Sequence, residues 1–351
     1  MADHTTTGQP TAGHTTAGQK TADQPTTGQA TAGGTTGQNT AAELGLGCAQ
    51  LGNLYHAIDD ERASATVDAA WDAGIRYFDT APHYGIGLSE RRLGAALRER
   101  PRQEYRISTK VGRLLVETDE SGAVGMDTAE GFVVPATHKR VRDFSRDGVR
   151  RSIDDSLRRL GLDRIDVALL HDPEGHTDVA FGEGWRALTE LRDEGVVTTL
   201  GAGSKDAAVL ARFVRECGPD VVMVAGRFTL LEQPARDELL PACAAHGVGV
   251  LNAGVFNSGL LAEAKPHDGL PYEYGSAPGL LVERARAIAE LCATHGTSLP
   301  AAALAFAGSD PAVRSVVVGA DSPEQVRRNA ALFAAPPPGE LWPALRERGL
   351  L

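Results

Sequence analysis

Residues 75–85 read IRYFDTAPHYG. The apolar and aromatic run through Ile75, Tyr77 and Phe78 has the texture of a strand. It ends on Asp79, and Tyr84 follows five residues later across Pro82. A carboxylate and a phenol so close behind a strand raise the question of what fold would bring them together.

The rest of the chain answers it. From Leu44 onward, eight short apolar runs recur: LGLGCA, IRYFDT, YRISTK, IDVALLH, VTTLGAG, DVVMVAG, VGVLNAG and VRSVVVGA. The segments between them carry apolar residues three or four apart, as Trp185, Leu188 and Leu191 do in WRALTELRDEG, and several close on glycine. Pro241 fits as the first residue of a helix. Eight alternations over about 310 residues predict an α/β fold, a (β/α)8 TIM barrel spanning residues 43–351. A doubly wound sheet is the alternative. GLGCAQLG lacks the GxGxxG turn such a sheet carries after its first strand, and no GxxxxGK[ST] occurs. Asp79, Lys110, His171, Ser204, Asn252 and Gly319 all fall at or just past the C-terminal ends of predicted strands, the face on which barrel active sites are built.

Two connections are long, 113–145 and 264–279. Both belong to that same face, so they read as loops over a pocket; the competing reading is tolerated insertion. Residues 1–42 repeat Thr, Ala, Gly and Gln with almost no large apolar side chain, which predicts a disordered tail.

Composition removes several classes of function. A net charge of −11 over 351 residues sets the surface against nucleic acid and anionic membranes. Cys48, Cys217, Cys243 and Cys292 stand far apart without a CxxC pair, which argues against a disulfide framework and a zinc site and suits a reducing cytoplasm. No signal-peptide pattern and no apolar stretch of spanning length occurs.

Singly, Asp79, Tyr84, Lys110 and His171 each have an ordinary structural reading. Together they solve one problem. A free phenol ionises near pH 10, too high for proton exchange at neutral pH. A cation beside it lowers that value, and a buried lysine needs a carboxylate to stay charged. Asp79 would hold Lys110, Lys110 would tune Tyr84, and His171 would fix the oxygen at which Tyr84 exchanges a proton. That is half of a carbonyl–alcohol interconversion; the other half is a hydride, which no side chain supplies. VVVGADSPEQVRRN places a glycine and a helix start behind the last run, a ready anion site, and VFNSGLL adds small residues that admit a ligand.

The chain from about residue 43 to 333 resembles the aldo-keto reductases. GIRYFDTAPHYGIGLSERRLGAAL is similar to that family's aspartate–tyrosine signature, STKVG to its lysine strand and DVALLHDPE to its histidine strand. The resemblance implies that Tyr84 is the general acid or base, that Lys110 and Asp79 adjust its pKa and that His171 orients the substrate oxygen. It also implies NAD or NADP laid across the barrel mouth, against Gly47, Cys48, Ser204, Lys205, Phe256, Asn257, Ser258, Gly259, Leu260, Gly319, Asp321, Ser322, Gln325 and Asn329. GLGCAQLGNLY, STKVGRLL, LLHDPE, AGRFTLLEQ and NSGLLA look most like the branch of aldose 1-dehydrogenases, fucose dehydrogenases and pyridoxal dehydrogenases. That branch implies oxidation of the anomeric carbon of a sugar to a lactone, with Tyr84 taking the proton of the C1 hydroxyl.

Three positions depart from the family pattern, of which Cys48, where threonine is often found, is a mild change between small side chains. Asp321 stands where NADP-preferring members carry Arg or Lys, so its charge predicts NAD preference; the plainer reading is that it caps the next helix. Lys205 stands where an asparagine is expected to hold the carboxamide, so either Ser204 takes that duty or the cofactor sits somewhat differently. Three classes of function compete: an oxidoreductase acting on a sugar, or on aldehydes and ketones with NADPH; a nicotinamide-binding regulatory subunit; and a barrel of unrelated chemistry with Lys110 as a Schiff-base nucleophile. The pairing of Lys110 with Asp79 opposes the last. Tyr55, Tyr272, Tyr274 and THKRVRD, in or near the long loops, would shape the choice of a small sugar or aldehyde substrate.

Overall fold

The computed structural model describes residues 42–118, 125–273 and 275–351. The tail read into residues 1–42 lies, Ala42 apart, outside them, as does Tyr274. Eight strands, β1 Glu43–Gly47, β2 Tyr77–Asp79, β3 Arg106–Val111, β4 Ile165–His171, β5 Val197–Ser204, β6 Val221–Ala225, β7 Gly249–Ala253 and β8 Val313–Gly319, form a closed barrel. Every neighbouring pair is parallel, and β1 closes the ring by pairing with both β2 and β8. This is the expected (β/α)8 barrel rather than an open doubly wound sheet.

Alternation along each strand decides which side chains enter the barrel. Tyr77, Val167, Leu169, Met223, Leu251 and Val317 fill the interior as one apolar cluster. Phe78, Ile107, Val111, Ala168 and Leu170 point outward into the larger layer between strands and helices. The inner parity therefore carries Tyr77 to Asp79 on β2 and Val167, Leu169 to His171 on β4, so the polar residue stands at the top of each apolar column. Register does the rest: Asp79 lies beside Ser108 and Lys110 beside Leu169.

Ten helices of seven residues or more cover the described chain: α1 Asp60–Asp72, α2 Leu88–Leu97, α3 Arg146–Leu160, α4 Trp185–Asp193, α5 Ala207–Cys217, α6 Leu239–His246, α7 Gly279–Thr294, α8 Leu299–Ala307, α9 Pro323–Ala334 and α10 Leu341–Glu347. Their starts are set by side-chain caps: Ser145 accepts from Gly148 N before α3, and Asp206 from Ala208 N and Val209 N before α5. Pro241 is the third residue of α6, not the first, still within the turn whose amides have no helical partner. None of the described helices is long and apolar enough to cross a membrane.

The described parts of the long connections are structured. Arg113–Glu117 and His138–Arg142 form an antiparallel hairpin, and within residues 125–137 Phe132 bridges Leu54 and Met126 bridges Pro135. A third apolar cluster, Ile86, Phe132 and Val134 against Leu54, Tyr84, Leu88 and Leu115, fastens this connection to the barrel mouth. The second connection carries a short pair, Pro271–Tyr272 with Gly275–Ser276.

Candidate active site

Four side chains from three strands and one turn converge at the mouth. Lys110 Nζ lies 2.9 and 2.8 Å from the two oxygens of Asp79, 2.9 Å from Thr80 O and 3.1 Å from Tyr84 Oη. Ser108 donates to Asp79 Oδ1 at 2.7 Å. The carboxylate is thus fixed by Ser108 as well as by the ammonium it holds. Lys110 and Asp79 are each 3% exposed, so neither charge could persist there without the other. The His171 ring stands edge-on to Tyr84 with centroids 6.3 Å apart.

Electrostatics follow from this burial. Burial is the strongest influence on the Tyr84 phenol and pushes it up to about 12, while Lys110 pulls it back down. The sequence predicts the downward pull, but desolvation exceeds it. Burial likewise opposes the Lys110 charge, yet Asp79 and Tyr84 together hold the ammonium above its ordinary value. Burial, then Arg113 and Lys110, keep His171 well below the usual imidazole range, so the ring is neutral. His83, 5.7 Å from His171 between ring centroids, is lowered to about 2 by burial and then by Arg113 and Arg140.

Two clefts meet at this point. One, of about 440 Å³, runs from Gly47 and Gly319 past Phe256, Ser258 and Gly259 to the start of α9. The other, of about 640 Å³, is walled by Leu54, His83, Phe132 and His171 with Arg113, Arg140, Arg142 and Asp172. Tyr84 belongs to both walls, with Ala49, Leu54, Lys205 and Ala225.

The sequence model of the Aldo/keto reductase family matches residues 43–347. The chain belongs to the aldo/keto reductase family. This aldo/keto reductase is 51% identical over 309 residues to a D-threo-aldose 1-dehydrogenase of Pseudomonas sp, a match covering 88% of this chain and 94% of that one. It is 38% identical to a pyridoxal 4-dehydrogenase of Microbacterium luteolum, over 91% and 96% of the two chains. Among solved structures it is similar to the holo form of the aldo-keto reductase AKR11C1 from Bacillus halodurans, with TM-score 0.70 and 27% identity over 88% and 92% of the chains. The protein is an oxidoreductase acting on CH–OH groups, and the cofactor class of its family is a nicotinamide dinucleotide.

The residues of the first cleft fit such a cofactor. Ser322 caps α9 by accepting from Gln325 N at 3.3 Å, and Gln325, Arg328 and Asn329 from its first turns line the cleft, a donor set suited to phosphate. At Gly319 a Cβ would stand 2.6 Å from Gln50, whose buried Oε1 has no partner among the described residues. Of the positions expected to meet cofactor, Gly47, Lys205, Phe256, Ser258, Gly259, Gly319, Asp321, Gln325 and Asn329 line the cleft. Five do not. Cys48 and Leu260 are core residues, Ser322 caps its helix, and Ser204 Oγ accepts from Asp206 N at 2.7 Å. Asn257 Nδ2 donates to Glu232 at 3.0 Å. Asn252, at the end of β7, points outward and ties Phe228 O and Ala307 O to the strand at 2.9 and 3.0 Å.

Asp321 is not the helix cap. Its carboxylate receives Arg62 Nη2 at 3.0 Å and lies 2.9 Å from His56 Nε2, while its backbone O accepts from Arg62 Nε at 2.6 Å. Sequence reasoning missed His56, Arg62 and Arg328 on the cofactor side, and His83, Arg113, Phe132 and Asp172 on the other. Only Arg328 had a signal, sitting three residues after Gln325 on one helical face.

Proposed function

We propose that the protein oxidises the anomeric carbon of an aldose to a lactone, with NAD preferred to NADP. The observation that carries this reading is the place of Tyr84 on the wall shared by both clefts, in contact with Lys110. A bound nicotinamide dinucleotide supplies the two-electron acceptor. The side chains supply everything at oxygen: the C1 hydroxyl gives its proton to Tyr84 Oη as the C1–H bond breaks and the carbonyl forms. Lys110 stabilises the phenolate that accepts it, Asp79 holds Lys110 in place, and neutral His171 keeps an N–H to orient the same oxygen. The 51% identity to a D-threo-aldose 1-dehydrogenase supports the aldose as substrate class.

NAD preference rests on Asp321. A carboxylate in the nucleotide cleft accepts from a ribose hydroxyl but repels a 2′-phosphate, and its pairing with Arg62 and His56 holds it in position.

One observation favours a second reading. A phenol raised to about 12 rests protonated, which suits proton donation to an aldehyde oxygen and hence reduction. Nicotinamide absorbance with a panel of aldoses and either oxidised cofactor, and with aldehydes and either reduced one, separates the two. Reduced nucleotide formed with an aldose and NAD, and lost in Tyr84→Phe, supports the dehydrogenase; turnover of aldehydes alone, with NADPH, overturns it.

A further inference from the structure

Two charged residues follow the site's own motifs and exchange no proton themselves, although Arg113 helps to keep His171 neutral. Arg113 stands three positions after Lys110 and Asp172 directly after His171. Both line the pocket beyond Tyr84. Arg113 Nη2 donates to Asp172 Oδ2, and Arg113 Nη1 lies 3.4 Å from His83 Nδ1. We propose that Arg113 and Asp172 are the pair that reads the substrate's hydroxyl pattern, gripping a vicinal diol next to the carbon under oxidation. The proposal rests on the aldose reading.

The backbone is arranged to present this pair. Asp172 has φ +45, a left-handed conformation that Asp tolerates better than most residues but still at a cost. It is held there from both sides: its N–H donates to Gly203 O at 2.8 Å, and its carbonyl accepts from Arg142 of the hairpin. Gly112, at φ +94, turns the chain between Lys110 and Arg113, where a Cβ would stand 2.1 Å from the Phe144 ring. Strain on one side and a required glycine on the other set the guanidinium against the carboxylate inside the pocket.

Charge balance then identifies the ligand class. Arg140 is neutralised by Asp127 through bonds of 2.8 and 2.5 Å, and Arg113 by Asp172. Lys205 lies 3.8 Å from Glu273. Arg142 donates to the His171 and Asp172 carbonyls and has Glu130 and Glu174 among its charged neighbours. Among the described residues no cluster of unopposed cations faces this pocket to await a sugar phosphate or a carboxylate, which fits a neutral ligand. Asp172 Oδ1 takes no hydrogen bond from a described side chain, and Asp172 is 30% exposed. A carboxylate and a guanidinium side by side accept from one hydroxyl and donate to its neighbour, which a monohydroxy aldehyde cannot match. A substrate lacking one of those hydroxyls leaves a pocket charge unsatisfied and is rejected.

The test compares kcat/KM for the best aldose with that for each of its monodeoxy analogues, in wild type, Arg113→Met and Asp172→Asn. Asparagine retains the left-handed preference, so the second variant keeps the backbone. Wild type is expected to lose about 10- to 100-fold on at least one analogue, the range for a hydrogen bond to a charged group. In both variants that penalty shrinks to within about threefold, because the group that sensed the missing hydroxyl is gone. Parallel losses on the aldose and its analogues, with the penalty intact, would show that the pair only braces the pocket and would overturn the proposal while leaving the dehydrogenase standing. A wild type that oxidises no aldose removes the aldose reading and this proposal together.

Discussion

Lys110 reaches Tyr84 Oη at 3.1 Å with the same nitrogen that both Asp79 oxygens hold within 2.9 Å. The phenol is therefore the one open end of a buried ion pair. Removing its oxygen leaves the pair intact, and the Tyr84 ring still packs with Phe132 and Ile86. Tyr84→Phe is expected to fold with an unchanged melting temperature within a few degrees and to lose about 10²- to 10⁴-fold in turnover, the range for one acid–base group. Circular dichroism and nicotinamide absorbance check the two halves separately.

The direction of the phenol's shift gives the pH dependence. Oxidation needs the phenolate, and with ionisation pushed up to about 12 the phenolate is scarce at neutral pH. The rate of aldose oxidation should climb close to tenfold per pH unit through neutral and mildly alkaline pH. Lys110 lowers the phenol's pKa, so Lys110→Met should depress oxidation most where phenolate is scarcest. A flat profile in wild type would assign the proton to another group.

Asp321 offers a test on the cofactor side. With Asp321→Ala, the Arg62 and His56 side chains that it now holds become available to an incoming phosphate. The ratio of KM values should shift toward NADP by about tenfold or more, reflecting the loss of like-charge repulsion. Direct titration of nucleotide binding by tryptophan fluorescence reads the same change without turnover.

How much of this was open to reading from the chain depends on parity. Asp79, Lys110 and His171 could be placed because each closes an apolar run, and the inner face of each strand delivers its last or next-to-last residue to the mouth. The same argument puts Asn252 at the C-terminal end of its strand, as found, but does not give its side-chain direction. VGVLNAG is apolar on both faces, as a strand covered by helices outside and packed inside must be, so nothing in it shows that Leu251 and Ala253 point inward and Asn252 outward. Cys48, beside Gly47, likewise turns its side chain into the core. The pocket arginines were hidden differently: Arg113, Arg140 and Arg142 face the site only because residues 113–117 pair with 138–142 across an intervening segment. A run such as THKRVRD otherwise reads as solvated charge.

Two buried histidines make acid stability a further measurable consequence. His83 is lowered to about 2 and His171 lies well below its ordinary 6.5, so both stay neutral in the fold while the unfolded chain protonates. The unfolded state then binds more protons, and stability present above pH 6.5 is lost as pH falls below it. Each histidine contributes a limiting slope of about 1.4 kcal/mol per pH unit. Urea unfolding midpoints should fall steeply below that point, and His83→Gln, which keeps a neutral hydrogen-bonding group, should flatten the slope by about half. Equal slopes in the two proteins would place the acid sensitivity elsewhere.

The turn at Gly112 joins stability to specificity. Its φ of +94 excludes a side chain on conformational grounds, and the Phe144 ring lies 2.1 Å from where a Cβ would be. Phe144 packs in the main core at 3% exposure, so it cannot swing away cheaply. Gly112→Ala is expected to lose about 2 kcal/mol or more of stability, read by denaturant unfolding. Because Arg113 is the next residue, the surviving folded fraction should also discriminate less between an aldose and its deoxy analogue. Gly161→Ala serves as the control: it too has positive φ, at +67, but a Cβ there meets nothing within 4 Å. It should show a smaller stability loss and full discrimination, which separates the strain of the turn from the displacement of Arg113.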